Sequence, residues 1–248
     1  MPSSITFRKQ RTGAPPGFFR VEASGLAWLA ETGTVPIVGV LGVGDDFIEL
    51  ERLQTASPSH AAAVRLGRQL AAMHDAGASA FGCPPGDWQD DGFIGDAPLP
   101  LRSEPTWGRF YARHRVAPYL HALSPGQRKP LERLTELLEA GDFDDPAPPA
   151  RIHGDLWSGN VVWTPSGAAL IDPAAHGGHR ITDLAMLALF GAPHLREVMD
   201  AYASTSTHLV SDWRDLIPLH QVHPLLVHAV LFGGGYSDQA ARAASYYV

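Results

Sequence analysis

Apolar residues along this chain pass from a strand-like run to a helical repeat, through short β-like runs, and into helical repeats again. The first β-like run, Ile5-Thr6-Phe7-Arg8, ends at Lys9. Beyond the turn-rich Thr12-Gly13-Ala14-Pro15-Pro16-Gly17, apolar residues at 18, 21, 25, 26 and 29 predict an amphipathic helix. Glu22 falls near its start, where a carboxylate would face the positive end of the helix dipole. Val35 to Val43 and Phe47 to Leu53 read as two strands around Gly44-Asp45-Asp46. From Ser59 to Gly77 the period is helical, with Ser59 as N-cap and Gly77 as the stop.

The stretch from Phe81 to Pro105 is rich in Gly, Pro and Asp and predicts a long irregular loop, a kind of segment that usually carries function. Helices are expected from Trp107 to about Leu123 and from Gln127 to Ala140, before a proline-rich approach at Asp145 to Pro149. Asn160 to Trp163 and Ala168 to Ile171 flank the turn signal Thr164-Pro165-Ser166-Gly167 and predict a hairpin. A helix from Asp183 to Phe190 and two or three more, broken at Gly233-Gly234-Gly235, complete the pattern.

Composition narrows the class. A chain of 248 residues with 45% hydrophobic and 18% charged residues can bury a sizeable core and is ordinary for a soluble globular protein. The formal net charge of -7 supplies no basic field for nucleic acid or an anionic membrane. No apolar run is long enough to span a bilayer, and Met1-Pro2-Ser3-Ser4 begins nothing like a signal peptide. Cys83, the only cysteine, excludes an internal disulfide and suits a reducing cytosol; in Phe81-Gly82-Cys83-Pro84-Pro85 it reads as a small buried filler. The expectation is a cytoplasmic protein with neither a nucleic-acid nor a membrane partner. Lys9 and Lys129 are the only lysines among 19 basic side chains. Lys129 sits in what reads as a solvated loop, whereas Lys9 ends a β-like run, where a compact ammonium could reach phosphates.

The chemistry is concentrated in His153-Gly154-Asp155-Leu156-Trp157-Ser158-Gly159-Asn160, followed by Ile171-Asp172-Pro173. This H-x-D-x-x-x-x-N skeleton with a later aspartate is the arrangement of kinase-type phosphoryl transfer. In that arrangement one carboxylate, here Asp155, would accept the proton of the substrate hydroxyl, and an amide and a second carboxylate, here Asn160 and Asp172, would hold Mg²⁺ on the nucleotide phosphates. The hairpin between them would bring Asp172 back beside Asn160.

With these motifs in hand, the chain resembles the fructosamine kinase (ketosamine kinase) family of kinase-like small-molecule phosphotransferases over nearly its whole length. The resemblance rests on residues 153–160, Ile-Asp-Pro-Ala at 171–174, Asp-Leu-Ala-Met at 183–186 with Leu189-Phe190-Gly191, and Leu231-Phe232-Gly233-Gly234-Gly235-Tyr236. Softer matches are Asp91-Gly92-Phe93-Ile94-Gly95 and Glu22 to Leu29. It implies an α+β, protein-kinase-like bilobal fold: a β-rich nucleotide-binding lobe at 1–54 and a larger helical lobe at 55–248 carrying the catalytic and Mg²⁺ loops. It also implies ATP and Mg²⁺ as cofactors and, as substrate, a small-molecule ketosamine or a glycated protein lysine. Lys9, paired with Glu22, would hold the α and β phosphates. Leu50 to Leu53 would form the hinge that meets adenine, which assigns Glu51, Arg52 and Leu53 to nucleotide binding. Trp157 would face the sugar, His153 would brace the catalytic loop, and Asp183 would cap its helix or anchor that loop.

Three departures accompany the resemblance. Only eight residues precede Lys9, too few for the two earlier strands and phosphate-covering turn of the family, so the expectation is either a truncated sequence or an active site without that roof. Gly178-His179-Arg180-Ile181 replaces an acidic Gly-Asp-Arg-Glu-like run, and Gly86-Asp87-Trp88-Gln89-Asp90 is extra material in the substrate-side loop. Two rivals follow: a kinase of the same architecture acting on an aminoglycoside, choline or another small alcohol, favoured by a strongly acidic cleft, and a catalytically impaired homologue that only binds nucleotide or ligand.

Overall fold

The computed structural model describes residues 6–248, so Met1 to Ser4 and Ile5, the expected head of the first β-like run, lie outside the described residues. Strand β1 (Thr6–Gln10), helix α1 (Phe18–Ala30), and strands β2 (Val40–Val43) and β3 (Phe47–Glu51) form the small lobe, an antiparallel sheet in the order β1-β3-β2. Alternation along β3 turns Ile48 and Leu50 inward against Phe19 and Leu26 of α1. Lys9 lies directly opposite Ile48, and cross-strand partners share a face, so the lysine also points towards α1.

The first of the two expected strands begins late. Only Val40 to Val43 joins the sheet, because the residues before it pair elsewhere. Val38 N–H donates to Leu170 O at 3.1 Å, and Leu170 N–H donates to Pro36 O at 2.9 Å. This exchange ties the small lobe to the hairpin that carries the second acidic motif.

The larger lobe opens with α2 (His60–Asp75), capped by Ser59 Oγ, which accepts from Ala62 N–H at 3.2 Å. The region expected to be an irregular loop contains a hairpin, β4 (Gly92–Ile94) and β5 (Ala97–Leu99), turned at Gly95 with φ of 55°. Three-residue strands are too short for alternation to show through the Gly, Pro and Asp around them. The helix expected from Trp107 to about Leu123 is interrupted. Helix α3 (Trp107–Tyr111) passes into a π-helical turn at Ala112–Val116 and a 3₁₀ turn at Ala117–Ala122, where Pro118 has no N–H to continue the ladder. Helix α4 (Pro125–Ala140) starts early because Ser124 and Gln127 form a capping box, so Lys129 is an exposed helical residue rather than part of a loop.

Strands β6 (Ala150–Ile152) and β9 (His176–Gly178) pair across the base of the catalytic loop. Between them lies the expected hairpin, β7 (Val161–Thr164) with β8 (Gly167–Leu170). Helices α5 (Ile181–Phe190), α6 (Leu195–Ala203), α7 (Ile217–Phe232) and α8 (Tyr236–Ser245) follow. One apolar core joins α2, α5, α6 and the hairpin, with Trp28 and Leu29 of α1 built into it; a second joins α3, α4, α7 and α8. Among the described residues no helix is long and apolar enough to cross a membrane.

Candidate active site

The catalytic-loop sequence lies between β6 and β7, and its backbone is fixed from below. Asp183, fully buried on α5, accepts from His153 N–H at 2.8 Å through Oδ2 and from Gly154 N–H at 2.9 Å through Oδ1. His74 Nε2 reaches the same Oδ2 at 3.0 Å, and its Nδ1 meets the Tyr202 hydroxyl at 2.7 Å. Burial alone would raise the Asp183 carboxyl; the bonds and charge of His74 and His153 outweigh it and hold the group below its ordinary value. Asp183 therefore anchors the catalytic loop, the second of its two expected roles. Gly154 has φ of 80°, and a side chain there would run into the carbonyl of Ala174, so only glycine fits this bend.

His153 braces the loop as expected. Its Nε2 donates to Ile171 O at 2.8 Å while Nδ1 accepts from Asp155 N–H at 3.3 Å, and burial keeps the ring neutral by lowering its pKa. The imidazole thus locks Asp155 to the residue before Asp172.

Asp155, Asn160 and Asp172 converge. Asn160 Nδ2 donates to Asp155 O at 2.8 Å, to Asp155 Oδ2 at 3.2 Å and to Asp172 O at 3.3 Å. With the amide nitrogen committed, Oδ1 is the atom left to hold a cation. Asp172 itself sits at φ of 54°, a left-handed conformation rare for a residue with a side chain, and gives Oδ1 to Lys9 Nζ at 3.0 Å. Lys9 also meets both Glu22 oxygens, at 2.7 and 2.8 Å. Glu22 is in the second turn of α1, and its role is this ion pair rather than the dipole interaction. Desolvation opposes the Lys9 charge, but Glu22 and Asp172 more than restore it and raise its pKa. Burial, followed by the nearby Asp183 and Asp172 charges, pushes Asp155 up to about 7 against the bond from Asn160.

Three linked cavities surround these groups. The first is lined by Phe7, Val38, Leu50, Glu51, Arg52, Leu53 and Val162, and ends on Lys9 and Asp172. Glu51 and Arg52 are exposed, and Glu51 N–H is already bonded to Gly39 O at 2.9 Å, while Arg52 and Leu53 lie just past the end of β3. The second cavity holds Lys9, Glu22, Asp155, Asn160 and Asp172. The third begins at Asp155 and Trp157 and runs between α5, α7 and the β4–β5 turn. Trp157 is 42% exposed at this boundary rather than packed under the loop. His179 and Arg180, at the departure from the acidic run, face away from all three: His179 Nε2 pairs with Asp145 at 3.1 Å and Arg180 Nη1 with Asp75 at 2.5 Å. Cys83 is buried, as expected of a filler.

Several contributors escaped the sequence reading. His74 lies on the buried stripe of α2, where a histidine among apolar positions was the available signal. Tyr202 and His228 gave none beyond helical period, and Phe190 stood out only as part of the family-like run Leu189-Phe190-Gly191. Among the described residues no three His, Cys, Asp or Glu side chains converge as an all-protein metal cage requires. An amide and one carboxylate suit instead a hard cation that brings phosphate oxygens and water with it.

The family model for fructosamine kinase matches residues 5–247. A protein from Thermus thermophilus named "Probable ketoamine kinase" is 36% identical, over 93% of this chain and 83% of its own. One of the same name from Synechocystis is 33% identical, over 90% of this chain and 76% of its own. A solved structure from Thermobifida fusca, provisionally named fructosamine-3-kinase, superimposes with a TM-score of 0.87 at 47% identity, covering 97% of this chain and 85% of that one. A choline/ethanolamine kinase family protein from Mesorhizobium loti shares the fold at a TM-score of 0.62 and 16% identity, covering 98% and 82%.

Proposed function

The chain belongs to the fructosamine kinase family, a family of phosphotransferases acting on a sugar hydroxyl, and from that premise we propose that it transfers the γ-phosphoryl group of Mg·ATP to the 3-hydroxyl of a ketosamine. A fructosamine or ribulosamine, free or on a protein lysine, is the acceptor. The observation that carries this reading is the sharing of residues between cavities. Lys9 and Asp172 belong to both the hinge cavity and the phosphate cavity, and Asp155 and Trp157 to both the phosphate cavity and the acceptor cavity. These neighbouring cavities support a reading with nucleotide on the Lys9 side and acceptor on the Trp157 side, and with Asp155 lining both the phosphate and the acceptor cavity.

In this scheme residues 1–54 bind the nucleotide, with adenine against Glu51, Arg52 and Leu53, and residues 55–248 bind the acceptor. Lys9, held by Glu22, neutralises the α and β phosphates as a point charge. Asn160 Oδ1 and Asp172 would hold Mg²⁺, which neutralises charge developing on the transferred group. Asp155 accepts the hydroxyl proton as the O3–P bond forms and the bond to ADP breaks. A carboxylate with its pKa near 7 is well matched to that task at neutral pH. Trp157 orients the sugar. Phosphate leaves C3 more readily than hydroxide, so the enaminol form of the product would expel it and hydrolysis would then free the amine, a deglycation repair role.

The test is ADP release by the purified chain with Mg·ATP and matched panels of ribulosamines, fructosamines, aminoglycosides and choline. Turnover on the ketosamines is expected. Turnover confined to aminoglycosides or choline would overturn the reading.

A further inference from the structure

The motif Leu231-Phe232-Gly233-Gly234-Gly235-Tyr236 plays no part in handling phosphate, yet it closes onto the acceptor cavity. Gly233 and Gly234 both hold φ of 66°, and this left-handed turn folds α8 back on α7. Tyr236, at the head of α8, returns to His228, which lies one helical turn before Phe232. The ring centroids of Phe190, Phe232 and Tyr236 lie 4.7, 5.3 and 5.2 Å from that of His228. With Trp157 they line a groove that ends on Asp155. His228 Nδ1 donates to Pro224 O at 2.7 Å, which in the neutral ring leaves the lone pair on Nε2.

Two features define what this groove can hold. Phe232 is 69% exposed at its mouth, an apolar surface that folding alone does not require. Among the described residues, Asp155 is the only carboxylate lining it. A polycation would need several. An ammonium carrying one organic substituent needs less: π faces for its charge and apolar walls for its carbons. In a ketosamine the nitrogen is three bonds from C3, so with O3 at Asp155 the nitrogen stays close to Trp157, and the ring-lined groove that begins there is open to its substituent.

Resting on the ketosamine reading, we propose that the groove formed by Phe190, His228, Phe232 and Tyr236 binds the substituent on the ketosamine nitrogen and selects an extended alkyl amine, such as a lysine side chain, over a small amine. These residues set specificity; the reacting atoms remain with Asp155.

The experiment compares kcat/KM for one ketose carried on Nα-acetyl-lysine and on methylamine. Wild type is expected to favour the lysine adduct by about tenfold, and Phe232→Ala to remove most of that preference through KM, with kcat within about twofold. Phe232→Leu should retain part of it. Phe232 is exposed, so the fold should survive, as a thermal melt would verify. An unchanged ratio in Phe232→Ala, no preference in wild type, or an equal loss of kcat on both adducts would overturn the proposal. Sedimentation run alongside reports whether Phe232→Ala dissociates a dimer; if it does and the ratio is unchanged, the groove is a contact between copies and the proposal is wrong. Absence of turnover on either adduct, with activity on choline or an aminoglycoside, would instead overturn the functional reading, and this proposal with it.

Discussion

At the scale of single residues, the site is a half-buried carboxylate whose charged form burial disfavours. Burial raises the Asp155 pKa to about 7, so the folded protein binds that proton more tightly than the unfolded chain does. The resulting stability is full below the ordinary carboxylate range and is lost as pH rises through about 7. Asp155→Asn should therefore melt higher than wild type above pH 7, without nucleotide or Mg²⁺, and the gap should narrow towards pH 5. The same variant should lose on the order of 10²–10⁴ in kcat, as removal of a general base does. A variant that turns over normally, or a melting gap that widens on acidification, would contradict the assignment. Asn160 acts differently. Its amide nitrogen joins Asp155 to Asp172, so Asn160→Ala should cost roughly 1 kcal/mol of stability. It should also raise the Mg²⁺ concentration for half-maximal activity by about tenfold, since one hard ligand is gone. Titration of activity with Mg²⁺ at saturating ATP measures this.

At the scale of elements, the sequence spoke clearly where a period was long or a cap was explicit. Helices α1 and α2 and the β7–β8 hairpin were legible for that reason. Strands β4, β5, β6 and β9 were not, because three residues carry too little alternation to register. The π-helical turn was hidden because its residues alternate much as those of an α-helix do. The largest omission concerned what lies beneath the catalytic loop: Asp183 read as a cap or an anchor, and nothing in the spacing joined it to His74, 109 positions away. That network gives α5 its purpose. Asparagine at 183 offers one acceptor oxygen where two now serve three donors. Asp183→Asn should cost about 1–3 kcal/mol in urea unfolding and depress kcat through a loosened loop. A change below about 0.5 kcal/mol would show that the loop is held by other contacts.

At the scale of the whole molecule, the chain joins a strand-rich small lobe to a helical lobe through three ties. Val38 and Pro36 bond to Leu170 of the hairpin, α1 buries Trp28 and Leu29 in the helical core, and Lys9 reaches across to Asp172. The catalytic-loop motif was readable because it is local in sequence, whereas Lys9, 163 positions from Asp172, stood out only by the scarcity of lysine and by family resemblance. The groove beside Trp157 was legible only in pieces: Trp157, Phe190 and Tyr236 lay in family-like motifs, but only the packing of α5, α7 and α8 beside the catalytic loop brings them together with His228. The most direct measurement is ³¹P NMR of a ribulosamine incubated with Mg·ATP and either wild type or Asp155→Asn. The expected result is a phosphate ester on the 3-oxygen with wild type, formed in step with ADP, and a rate at least about a hundredfold lower with the variant. Phosphorylation at another hydroxyl, or equal rates from the two proteins, would contradict the placement of Asp155 between nucleotide and acceptor.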